Sequence, residues 1–221
     1  MPLQVGSQKQ LFIDDRFFDY RDGVELRMSR PVQDAEPAFV PEKPWEKRGL
    51  AGYNTVLRED GTFRLWYGAV MKSGLPQEGA IRLCYAESSD GVQWERPELG
   101  LVPFDGAKRN NIVAPPHPRQ SQQGATVYRD EHAPAEERYK LWTKFRPTDQ
   151  QLEEGARPGL YAMFSSDGLH WRIYPDQPNP AGQACDTQNA FFWDDRLECY
   201  VGYTRAAATQ HVSEAAKARG E

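Results

Sequence analysis

The segment SSDGVQW, residues 88–94, returns as SSDGLHW at residues 165–171, and the interval of 77 residues holds from Asp90 to Asp167 and from Trp94 to Trp171. A chain that repeats at a fixed spacing is built from copies of one supersecondary unit, which constrains its fold more than any other feature. Around the first copy, IRLCYAE (81–87) alternates like a half-buried strand, SSDG supplies turn residues, and VQWER leaves as a second strand. In such a hairpin Asp accepts bonds from following backbone amides, Gly takes the positive φ of the turn, and Trp is a large plate to bury against the next layer. LYAMFSSDGLHWRIY (160–174) reads the same way.

The residues before each hairpin also match. YNTVLREDGTFRLWYGAV (53–70) and ATVYRDEHAPAEERYKLWTKF (125–145) are both strand, charged turn, strand. Each unit is therefore four consecutive antiparallel strands, followed by a connector rich in Pro and Asn such as Gly106 to Gln123. A third unit begins at TQNAFFWDDRLECYVGYTR (187–205) and stops. Four-stranded sheets in series are the signature of a β-propeller, in which each blade packs on its neighbours and the innermost strands line a central channel. The fold class expected is all-β: an incomplete β-propeller of about two and a half blades over residues 1–205. Residues 206–221, AAATQHVSEAAKARGE, form an Ala-rich tail expected to be helical or disordered. An unfinished ring exposes sheet edges, so self-association is expected, or a truncated chain.

Composition narrows the partners. Lys and Arg number 27 against 32 Asp and Glu, a net charge of -5 with no basic block to follow a phosphate backbone, so no nucleic-acid partner is expected. No run of eighteen apolar residues is present and MPLQVGSQKQLFIDD lacks a leader's apolar core, so neither membrane insertion nor export is expected and the cytoplasm is the expected location. Cys84, Cys185 and Cys199 form no C-x-x-C pair, and the four His lie far apart; no disulfide framework, metal site or cofactor is expected.

Several segments carry a resemblance: LFIDDRFF (11–18), PEKPWE (41–46), LCYAESSDGVQWERPELGL (83–101), FDGAKRNNIV (104–113) and DTQNAFFWDDRLECYVGYTR (186–205). With these the chain resembles the amino-terminal half of bacterial five-bladed propeller proteins related to glycoside hydrolase families 32 and 43. The resemblance implies an oligosaccharide or glycoside substrate at the channel mouth. It also implies a pair of carboxyl groups on or near the innermost strands, one acid and one nucleophile or base.

The residues only partly meet that pattern. The first blade's inner strand opens with Tyr53, Asn54 and Thr55, and the second follows Gln122, Gln123 and Gly124, so neither offers a carboxylate. The third offers Asp186, at the head of a polar cluster with Gln188 and Asn189 that either hydrogen-bonds a sugar's hydroxyls or ties its own loop. Asp14 and Asp15 follow an apolar Leu-Phe-Ile and either face the channel entrance or cap a turn. Glu46 beside Trp45 pairs a carboxylate with an aromatic platform for a sugar ring, or else Trp45 is a packing plug. Glu198 falls just past an Asp-rich turn and reads as a hairpin tip. The catalytic candidates are thus Asp186, Asp15 and Glu46, and the substrate-binding candidates Trp45, Asn54, Gln188, Asn189 and Asp14. The functional expectation is a glycoside hydrolase-like protein; the alternatives are a carbohydrate-binding propeller without catalysis and an inactive fragment.

Overall fold

The strand alternation becomes three antiparallel sheets in chain order. In the computed structural model, residues 6, 10–71, 81–113, 122–145, 153, 155, 159–174 and 188–205 are described. The first sheet holds β1 (Thr55–Glu59), β2 (Thr62–Val70) and β3 (Ile81–Ser88) in the order β1-β2-β3. The second holds β4 (Thr126–Arg129), β5 (Tyr139–Phe145), β6 (Gly159–Ser165) and β7 (Arg172–Ile173), again in sequence order. The third pairs β8 (Ala190–Asp194) with β9 (Cys199–Tyr203). This is the all-β, blade-after-blade architecture of an incomplete propeller. The tail expected over 206–221 lies outside the described residues.

The chain divides into two units, Met1–Pro37 and Ala38–Glu221. The described residues of the first contain no helix or strand. Its ring contacts are Phe12 with Phe17 at 5.2 Å and with Phe18 at 5.8 Å, and the guanidinium of Arg16 lies over Phe17. All three sheets belong to the second unit.

Local chemistry sets the turns. Asp60 and Gly61 both take positive φ, 48° and 84°, as a two-residue hairpin loop between right-twisted strands demands. In the repeated hairpin, Ser88 Oγ accepts the amides of Asp90 at 3.2 Å and Gly91 at 2.8 Å, while Asp90 Oδ1 accepts those of Val92 and Gln93, both at 2.8 Å. Ser165 and Asp167 do the same at 3.2, 2.9, 2.8 and 2.9 Å. The two copies are one structure written twice.

They differ in their exit strands. The second hairpin leads into β7, but in the first the expected outer strand, VQWER, shrinks to a single bridge between Glu87 and Glu95. Two like charges directly opposite weaken the pairing. Arg96 is drawn away to Glu46 and the Val40 carbonyl, and Pro97 has no N–H to continue a ladder.

Because opposite residues share a face, the register Thr55↔Trp66, Thr126↔Trp142 and Ala190↔Tyr203 aligns the blades. Arg64 and Trp66 face the second sheet. Between the two sheets lies a core of Trp66, Leu83, Tyr85, Val127, Leu141 and Trp171, in which burial of Leu83, Val127 and Leu141 contributes about 1.5–3 kcal/mol each. The opposite face of the first sheet, with Leu65, Tyr67 and Cys84, is covered by Phe39, Trp45 and Phe104. The third sheet sits on the second through Phe191, which meets Trp142 at 5.2 Å and Tyr128 at 5.9 Å.

The repeated hairpin also fastens one blade to the previous one. Trp66 Nε1 donates to the Gly168 carbonyl at 2.7 Å, and Arg64 Nη2 donates to the Asp167 carbonyl at 2.5 Å. A Cβ on Gly168 would stand 2.7 Å from the Trp66 ring, so the contact requires glycine there. The outer-corner role read from the sequence is thereby given a partner.

Candidate functional site

The entrances of the first strand of each sheet come together. Val127 N donates to Thr55 Oγ1 at 3.2 Å, joining β4 to β1, and Asn189 N donates to the Gly124 carbonyl at 3.3 Å, joining the start of β8 to the approach of β4. Gln188 Nε2 reaches the Asn54 carbonyl at 3.3 Å, closing the gap between the third and first sheets across 134 residues of sequence. Gln122 underpins the cluster: its amide donates to the Ile81 carbonyl at 3.0 Å and its Oε1 accepts from Leu83 N at 2.7 Å. Asn189 is buried and its Oδ1 accepts from Thr204 Oγ1 at 2.6 Å, whereas the Asn54 side chain is exposed.

This cluster brings together Asn54, Gln188 and Asn189 of the residues singled out from the sequence. Asp186 lies outside the described residues. The described members of the cluster carry amides and hydroxyls and no carboxylate. The carboxylates of the same strands sit at the far ends, tied into protein contacts. Glu59 pairs with Arg64 at 2.8 Å and Arg129 at 3.1 Å, Asp130 accepts from Tyr200, and Asp194 pairs with Arg196 at 2.7 Å. Glu198 takes φ 50° in the β8–β9 turn, at the hairpin tip.

Trp45 and Glu46 are placed differently from the expectation of an open sugar platform. They lie in a 3-10 turn, Pro44–Glu46, with Trp45 at 8% and Glu46 at 0% exposure. Trp45 Nε1 donates to Asn111 Oδ1 at 2.8 Å, and its ring meets Phe104 at 5.9 Å. Glu46 Oε2 accepts the amides of Glu42 at 2.8 Å and Lys43 at 3.0 Å, while Oε1 accepts from Arg96 Nε at 2.9 Å and from the Tyr67 hydroxyl. Burial pushes the Glu46 carboxyl up, but the hydrogen bonds from Tyr67, the two amides and Arg96 outweigh it and hold the group below its ordinary range. Every lone-pair direction is spent on the protein, so in this arrangement Glu46 anchors the loop over the first sheet and Trp45 plugs the core. The physical reason is the neighbourhood: a carboxylate next to an apolar plug is buried with it once Arg96, 50 residues away, supplies the charge.

Asp14 and Asp15 belong to the first unit and are exposed. Asp14 Oδ1 accepts the Arg16 amide at 3.1 Å, the turn-cap geometry, and Asp15 pairs with Arg21 at 3.1 Å. Among the described residues no group of three or more His, Cys, Asp or Glu is placed to hold a metal ion, and no helix is long and apolar enough to cross a membrane.

Two features escaped the sequence reading. Asn111 is fully buried and, besides Trp45, serves the Tyr67 hydroxyl at 2.8 Å and the Tyr85 carbonyl. The Asn-Asn pair in the FDGAKRNNIV segment was its only signal. Cys84 is buried beneath the same network, where burial drives its thiol far up and keeps it protonated.

No protein-family profile matches the chain. Over 121 residues it is 28% and 29% identical to uncharacterized proteins from two strains of Mycobacterium tuberculosis, a stretch covering 54% of this chain and 33% of each relative. The chain thus spans about a third of the length of the curated relatives it matches. Among solved structures it is similar to a fructofuranosidase from Schwanniomyces occidentalis complexed with fructose, with a TM-score of 0.49, 14% identity, and coverage of 75% of this chain and 30% of that one. It is also similar to an exo-inulinase from Aspergillus awamori, with a TM-score of 0.45, 19% identity, and coverage of 78% and 36%. A putative glycoside hydrolase from Parabacteroides distasonis gives a TM-score of 0.47, 16% identity, and coverage of 74% and 47%.

Proposed function

We propose that this is a carbohydrate-active propeller protein that binds an oligosaccharide where the first strands of its sheets converge. The observation that carries the reading is the meeting of Asn54, Gln188 and Asn189 at that point, joined by the Gln188 to Asn54 bond at 3.3 Å. Amide side chains donate and accept at once, as sugar hydroxyls do, so a cluster of them matches a polyol without any net charge. Hydrolysis asks for more, because two carboxyl groups must flank the scissile bond. Asp186, two residues before Gln188, is the carboxylate nearest in sequence to this cluster, and we propose it as the group through which catalysis would run. The bound sugar is the primary reading, and glycosidase action depends on a second carboxylate joining Asp186.

The test is titration calorimetry against fructan, arabinan and xylan oligosaccharides, followed by assay of released sugar. Asn54→Ala and Gln188→Ala should each weaken binding of the oligosaccharide found by about two- to tenfold for each hydrogen bond lost, at about 0.5–1.5 kcal/mol a bond. Asp186→Asn should keep the fold and abolish release of sugar while leaving binding measurable. Unchanged binding in both amide variants would remove the site, and unchanged hydrolysis in Asp186→Asn would remove the acid/base assignment.

A further inference from the structure

The second blade shows how a blade of this chain is received by its neighbour. Its hairpin presents the Asp167 and Gly168 carbonyls to Arg64 and Trp66, and Leu169 packs beside them against the shared core. The first blade's hairpin has the same internal geometry and so presents the Asp90 and Gly91 carbonyls in the same way. Its counterpart of Leu169, Val92, is 54% exposed, and Ser89, Asp90 and Gln93 are exposed with it. The three atoms nearest to a Cβ on Gly91 all belong to Phe63 of its own sheet, the first at 3.6 Å. Among the described residues nothing is docked on this hairpin.

The complementary surface lies at the other end. In the third sheet Phe191 and Trp193 face the second sheet, so Ala190, Phe192, Val201 and Tyr203 face outward. Tyr203, opposite Ala190, occupies the register position of Trp66 opposite Thr55, and Val201 that of Arg64. Tyr203 is 63% exposed and stacks on Phe192, itself 36% exposed, at 6.1 Å. Its hydroxyl is a donor where Trp66 has its indole N–H. Among the described residues β9 is paired on one side, by β8, and it reads Cys-Tyr-Val-Gly-Tyr, without the charge or Pro that usually keeps an edge from pairing.

We propose that copies of this chain associate head to tail, the outward face of the third sheet of one copy receiving the first-blade hairpin of the next. Tyr203 then donates to the Gly91 carbonyl and Val92 is buried beside it, repeating the junction already present between the first two blades. Such an interface uses two different surfaces, so it either closes into a ring or extends as a filament.

Two exposed substitutions test it. Val92→Asp removes the hairpin side and Tyr203→Ser the sheet side; both positions are on the surface, and near-UV circular dichroism checks that each variant keeps the parental fold. Light scattering coupled to size exclusion should show the parent growing in mass with concentration, and each variant monomeric at concentrations at least tenfold above the parent's midpoint. Mixing the two variants should restore one intact junction and give a dimer that grows no further. A parent that stays monomeric, a variant that assembles like the parent, or a mixture that yields only monomers would overturn the proposal.

Discussion

Replacing Gly168 with alanine should destabilise the protein far more than the same change at Gly91, although both glycines occupy the same place in the same motif. Both hold positive φ, +76° and +79°, so alanine at either site carries the left-handed penalty of about 1–2 kcal/mol. At Gly91 the added methyl meets ring carbons of Phe63 at 3.6 Å, an ordinary contact, and the cost ends there. At Gly168 it would stand 2.7 Å from Trp66 Cζ2 and 3.2 Å from Arg64 Nη2, both fixed by the bonds they donate to this hairpin. Overpacking there costs about 1–3 kcal/mol. Displacing Trp66 also forfeits a hydrogen bond of about 0.5–1.5 kcal/mol. The gap between the two variants is therefore about 1.5–4.5 kcal/mol, which for a chain of this length separates their melting temperatures by about 3–18 °C. Thermal and urea melts of both proteins, monitored by tryptophan fluorescence, measure it. Equal losses at the two sites would refute the hairpin as the fastening between blades.

Glu46→Gln should cost about 1.5–3 kcal/mol in a urea melt, because Arg96, whose side chain is only 4% exposed, loses its buried carboxylate partner and keeps the exposed Glu42 at 3.1 Å. The same carboxyl sets an acid limit. Its folded pKa lies below the ordinary 4.5, and Asp167 is likewise held below its ordinary 3.8, against burial, by bonds from His170, Leu169 and Ser165, so both stabilise the fold above those values. That stabilisation should fade as pH falls below about 4 and be lost once the folded groups protonate, with Glu46→Gln showing a shallower acid slope than the parent. Trp171→Ala should cost about 3–5 kcal/mol, and Trp94→Ala less, since Trp171 is 5% exposed in the inter-blade core whereas Trp94 is only partly buried against Phe39. Trp66→Phe should lose more than Trp171→Phe in the same melts, because Trp66 Nε1 has a partner and the buried Trp171 Nε1 has none.

Local structure is legible in the residues alone. Period-two alternation, Asp-Gly turns and the Ser-Ser-Asp-Gly pair act within a few residues, so their outcome needs no knowledge of distant neighbours. The strands, the hairpins and the order of the sheets were legible for that reason, and so was the outer tip at Glu198. Local signals also led to an outer strand at residues 92–96, but that strand depends on where Arg96 points, and its partner Glu46 lies 50 residues upstream.

Burial was decided only by the tertiary structure. Trp45 and Glu46 read equally well as an open sugar platform or a core plug, and what tips the balance is Asn111, Tyr67 and Arg96 arriving from three other segments. Asn54, Gln188 and Asn189 were visible as polar residues at strand entrances, yet only packing of the sheets puts Gln188 against Asn54. The same holds for the two hairpins. Identical letters give identical turns, but whether the turn is gripped by another sheet, as at Gly168, or meets its own sheet's Phe63 at an ordinary contact, as at Gly91, depends on which blade stands beside it, because desolvation and close contact are properties of the neighbour and not of the segment.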